Sequence, residues 1–118
     1  LDILLSLIGW RQTALVCGVS MIPSLYDGDL VFFRKYSANK STIEIGDIII
    51  FNHPSKKIRL IKRVKTINDF SIEVSGDNQY LSTDSKAFGA IQKENIIGIV
   101  TSRISIKVIS KIKNLFNL

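Results

Sequence analysis

Apolar positions along the chain fall into short runs separated by turn-forming residues. Residues 30–35, Leu-Val-Phe-Phe-Arg-Lys, and 48–51, Ile-Ile-Ile-Phe, are too continuously apolar for surface ribbons and predict buried strands. Residues 58–67 predict a long strand, Asn68-Asp69 a hairpin turn and 71–74 its return. Residues 13–19 read as a first strand, followed by a turn over 21–29 with Pro23 and Gly28 as its punctuation. The stretch 96–100 opens the last strand. Polar loops are expected at 36–42, 52–57 and 75–89. Two Gly-Asp pairs, Gly28-Asp29 and Gly46-Asp47, each precede an apolar run, as though one turn solution were used twice.

Helical spacing shows only near the ends. Leu4, Leu5, Leu7 and Ile8 suit a short helix begun by Asp2 and ended by Gly9. At the other end Ile104, Val108, Ile109, Ile112, Leu115 and Phe116 share a helical face, with Lys107, Lys111 and Asn114 opposite. Residues 104–108 alternate equally well as a strand, so the expectation is a strand that converts to a short helix. The whole predicts a mostly antiparallel β domain. It divides into an apolar segment 1–12, a core 13–103 and a basic amphipathic tail 104–118.

Length and charge narrow the classes. The 118 residues fit one domain. With 46% hydrophobic and 22% charged residues, the chain is not a disordered tail. Its net charge is +6, and from residue 95 onward no acidic residue accompanies Arg103, Lys107, Lys111 and Lys113. Such an end suits nucleic acid, an anionic membrane surface or simple solubility. The aromatics lie mostly inside apolar runs, which argues against a stacking platform and hence against nucleic acid. One Cys excludes an internal disulfide, and one Cys with one His excludes an ordinary zinc site. The apolar N-terminal run falls short of the roughly 20 residues needed to span a bilayer. The chain begins without Met, so a membrane anchor upstream stays open beside a cytoplasmic or peripherally membrane-associated location, with contact through the termini.

Three side chains invite a chemical reading. Ser20 sits between small and apolar neighbours just before a proline turn, as a turn hydroxyl or a nucleophile. On an extended strand Ile58, Leu60, Lys62 and Val64 share one face and Arg59, Ile61, Arg63 and Lys65 the other, a basic face that is readily solvated. Lys62 is thus a charge among aliphatics. Burial disfavours its ammonium form, and a neutral amine near a serine hydroxyl is a general base. A lysine that protects a sheet edge or snorkels to water fits the same pattern. His53 would be the alternative base in a triad, although its place beside Pro54 suits a surface histidine. Asp29, Asp47, Asp77 and Asp84 read as turn aspartates that bond local backbone.

The blocks Ser20-Met21-Ile22-Pro23-Ser24-Leu25 with Gly28-Asp29, Gly46-Asp47-Ile48-Ile49, Leu60-Ile61-Lys62-Arg63-Val64 and Gly76-Asp77-Asn78 with Ser82-Thr83-Asp84-Ser85-Lys86 occur in that order. Together they resemble the type I signal peptidases, Ser/Lys peptidases that share a Ser-Met and a distant Lys with LexA-like repressors. The small size and the ending Gly-Ile-Val-Thr-Ser-Arg most resemble the nickel-type superoxide dismutase maturation proteases.

The resemblance implies an antiparallel, barrel-like β fold. It implies Ser20 as nucleophile, Lys62 as general base and Ser82 as the hydroxyl that orients the lysine amine. Asp84 would be the acid of a structural salt bridge, with Lys86 where the family has Arg. Gly18 stands where some members use a serine for the oxyanion hole, leaving the Ser20 N–H to carry that task. No metal or organic cofactor is required. The implied substrate is a protein with an N-terminal leader or propeptide, in the narrowest case the nickel superoxide dismutase precursor, whose nickel is its own. Three alternatives stay beside it: a general signal peptidase without its anchor, a LexA-like self-cleaving domain, and a non-catalytic basic β module.

Overall fold

A computed structural model describes residues 12–80 and 90–116. Seven strands form one sheet: β1 (Gln12–Leu15), β2 (Leu30–Lys35), β3 (Ile48–Asn52), β4 (Arg59–Ile67), β5 (Ser71–Ser75), β6 (Ile91–Gln92) and β7 (Ile96–Ile104). A single helix, α1 (Ile106–Phe116), follows β7. Every pairing is antiparallel, in the order β1-β2-β7-β3-β4-β5-β6. The mostly β expectation holds. Among the described residues the barrel does not close: β1 and β6 are edges, and no ladder joins them. The expected helix at 2–10 lies outside the described residues.

The long apolar runs become central strands because both faces of the sheet are covered. On β3, Ile49 and Phe51 pack with Val64, Ile72, Val74 and Ile99 in one core. Ile50, on the opposite face, packs with Val16, Met21, Leu25, Val31 and Phe33 in the other. This second core binds the loop that carries Ser20 to the sheet. Gly98 on β7 lets Phe33 lie directly on the backbone: a Cβ there would meet the Phe33 ring at 2.2 Å and the Arg34 carbonyl at 2.9 Å.

Two strand boundaries differ from expectation. The first strand ends at Leu15, well short of residue 19, because Gly18 turns the chain with φ +92°. Ile58 precedes β4 and is exposed, so it does not share the buried face of Lys62 and Val64. The strand-to-helix conversion at the C-terminus is as expected, with Ile104 ending β7.

The two Gly-Asp turns are the same structure. Gly28 and Gly46 have φ +87° and +97°, the left-handed region that glycine enters without steric cost. In each turn the aspartate N–H donates to the carbonyl three residues back, and that residue's N–H donates to the aspartate Oδ2. Each is then stitched to a neighbouring chain by a reciprocal backbone pair, Gly28 and Asp29 to Val16, Gly46 and Asp47 to Val64.

Candidate active site

The loop between β1 and β2 is closed at its base by the Val16 N–H donating to Asp29 O and the Gly28 N–H donating to Val16 O, both at 2.8 Å. Met21 and Leu25, at 1% and 2% exposure, anchor it in the core. Ser20 therefore sits between exposed Val19 and buried Met21, half-exposed. Within the loop the Leu25 N–H donates to Met21 O at 2.9 Å, and the Ile22–Pro23 peptide is cis.

Lys62 lies in the middle of β4, opposite Ile49 of β3, and is 4% exposed. It and Asp29 are the buried charged residues among those described. Ser20 and Lys62 line the same cleft, of about 300 Å³, with Val31, Phe33, Ile50 and Ile61 supplying apolar walls. β1 and β4 both line this cleft although three strands separate them in the sheet order, so the open sheet curls around it. A half-exposed hydroxyl and a buried lysine thus share one cleft, which Arg59 also lines.

The segment after β5 ties the two halves together. The Asn78 N–H donates to Ser20 O at 2.9 Å, and its side-chain amide donates to Val19 O at 3.0 Å. Asp77 accepts from Arg63 Nε at 2.8 Å and Nη2 at 2.7 Å, and from the Ser24 hydroxyl. Arg63 also donates to Gly46 O. One carboxylate thus joins the serine loop to the residue next to Lys62. The Arg63 guanidinium, then the Ser24 hydroxyl, holds the Asp77 carboxyl below its ordinary range despite partial burial, and Asp77 in turn raises Arg63.

Several expectations need revision here. Asp77 is no mere turn aspartate, and Arg63 is not on a freely solvated face: its side chain is half-buried and paired. Asp29 also exceeds a local role. It is fully buried and accepts from the Tyr26 and Ile106 N–H groups and from Arg103 Nη1 at 2.9 Å. Burial alone would raise its pKa, but these donors outweigh burial and lower it. The Gly18 N–H donates to Asp27 Oδ1 at 2.7 Å, so this amide is engaged in the loop. His53 Nδ1 accepts from the Ser55 and Lys56 N–H groups within its own turn, and His53 is not among the residues that line the Ser20 cleft. Ser82, Asp84 and Lys86 lie outside the described residues. Arg63, Asp77 and Asn78 were the site residues missed, although their signal was present: an Arg beside the candidate base and a Gly-Asp-Asn turn.

Comparison with known proteins adds an independent line. The family model described as "Signal peptidase, peptidase S26" matches residues 3–68, more than half the chain and a span that includes both Ser20 and Lys62. Signal peptidase I of Bacillus amyloliquefaciens is 35% identical over 58% of this chain and 35% of its own length. Signal peptidase I V of Bacillus subtilis (strain 168) is 27% identical, covering 71% of this chain and 80% of that one. Mitochondrial inner membrane protease subunit 1 of Homo sapiens is 30% identical, covering 77% and 65%. The chain thus spans less than two thirds of the first and last of these relatives.

Proposed function

The chain belongs to the signal peptidase family, peptidase S26, and within it we propose a serine endopeptidase that uses Ser20 and Lys62 to remove an N-terminal leader or propeptide from a protein substrate. The observation that carries this reading is the shared cleft: a half-exposed serine and a 4%-exposed lysine line it together with Val31, Phe33, Ile50 and Ile61.

In the proposed cycle the neutral Lys62 amine takes the Ser20 hydroxyl proton as Oγ attacks the scissile carbonyl. The Ser20 N–H donates to the oxyanion that develops on the carbonyl oxygen. Collapse breaks the peptide C–N bond, and the Lys62 ammonium returns its proton to the leaving amine. Lys62 then removes a proton from water, which attacks the acyl ester and releases Ser20. An extended substrate would run along β1, an edge strand among the described residues, with small side chains entering the cleft before the cut. Asp77, Arg63 and Asn78 position the two reacting residues without touching substrate.

The narrower candidate substrate is the nickel superoxide dismutase precursor, supported by the motif likeness. The test presents the full chain with two peptides, one a general signal-peptide cleavage site and the other that propeptide junction. Cleavage of either is expected, with Ser20→Ala and Lys62→Met each lowering the rate on the order of 10³-fold or more. Undiminished cleavage by either variant would reject the Ser/Lys assignment. Cleavage of the general site alone would reject the narrower substrate.

A further inference from the structure

Helix α1 carries an apolar face that none of the described residues covers. None of its residues is buried. Val108 is 46% exposed, Ile112 44%, Leu115 79% and Phe116 65%. With about 3.6 residues per turn, Leu115, Val108, Ile112, Phe116 and Ile109 fall in an arc of roughly 120°. Lys111 bounds one edge of that arc and Lys113 the other, and both are exposed. Lys107 adds a third cation, and no acidic residue occurs in the helix. At eleven residues it is too short to cross a bilayer.

We propose that α1 rests on an anionic lipid surface, its apolar arc in the headgroup–acyl boundary and its flanking lysines among the phosphates. Charge decides the occupant. Lysines on both borders of an apolar stripe snorkel to headgroups while their stems stay apolar. A second copy of the same helix would instead bring those lysines against their equivalents, on a chain already carrying +6.

The root of the helix gives the docking a consequence for the site. The Ile106 N–H donates to Asp29 Oδ1 at 3.0 Å, and the Ile106 side chain lies over Gly28. Lipid contact at α1 therefore brings the Gly28-Asp29 end of the loop that carries Ser20 close to the bilayer surface.

Flotation of the full chain with phosphatidylcholine vesicles, with and without phosphatidylglycerol, tests the proposal. Salt-sensitive binding to the anionic vesicles is expected. Ile112→Asp should weaken it roughly 10-fold or more, and Lys111→Gln or Lys113→Gln about 5-fold each. The thermal midpoint should stay unchanged, since all three side chains are exposed. Equal binding to neutral vesicles, no binding to either, or a concentration-dependent dimer abolished by Ile112→Asp would each overturn it.

Discussion

The turns at Tyr26–Asp29 and Glu44–Asp47 share backbone geometry and internal hydrogen bonds, yet they have opposite environments. Asp47 is half-exposed, and its carboxylate accepts from the Glu44 N–H of its own turn. Asp29 is wholly buried and gathers Arg103 and the first N–H of α1 as well. Local sequence decides the turn. What packs against it decides whether the aspartate is a surface cap or a junction between loop, strand and helix.

Substituting the two aspartates should separate these roles most sharply. Asp29→Ala strands the Tyr26 and Ile106 N–H groups in a buried site, at a cost of about 3 kcal/mol, a fall of roughly 10 to 20 °C in the melting temperature. Asp47→Ala should cost only about 0.5 kcal/mol. Similar losses in thermal denaturation would show that burial is not the difference.

The glycines should show a smaller contrast. Gly28→Ala and Gly46→Ala each force a left-handed alanine, about 1 kcal/mol. Only at position 28 does the new Cβ also meet a neighbour, Ile106 Cδ1 at 2.6 Å, whereas position 46 has nothing within 4 Å. Chemical denaturation should therefore find Gly28→Ala the more damaging by about 1 kcal/mol.

Asp77 tests whether a half-exposed junction acts on geometry more than on stability. Arg63 is about a third exposed, so screening limits the loss in Asp77→Asn to about 1 kcal/mol. The proposed peptidase should lose more, on the order of 10- to 100-fold in kcat/KM, because the variant loosens Ser24 and Arg63 together. An unchanged kcat/KM would confine Asp77 to a structural role.

Acid titration tests both aspartates with the same sign. Asp29 and Asp77 both have lowered pKa values in the folded chain. Their stabilisation is thus fully present above the unfolded value of about 3.9 and fades as pH falls through the folded values. The stability gap between the parent chain and Asp29→Asn or Asp77→Asn should narrow below about pH 4. A gap independent of pH would mean that ionisation contributes nothing.

Strands β2 to β5 were legible because their patterns are local: continuous apolar runs for β2 and β3, alternation and a hairpin for β4 and β5. The same alternation singled out Lys62, which is buried as expected. The role of Asp29 was not legible, since Arg103 and Ile106 lie 74 and 77 residues away. Nor was the curl of the sheet, because which strands face each other across a cleft depends on cumulative twist and not on any one segment. Arg63 was misread by the alternation rule itself, which assigns a face but cannot say that Asp77 and Ser24 will cover it.

In the proposed peptidase the contact between Phe33 and Gly98 would bear on substrate size. Phe33 is a wall of the Ser20 cleft, and the ring can recede only because residue 98 has no side chain. Gly98 is paired with Ile50, another cleft residue, so a methyl added there would point to the cleft face and lift the ring inward. If the proposed site holds, the room for a substrate side chain would be metered from behind the wall, by an absent atom that no substrate would touch.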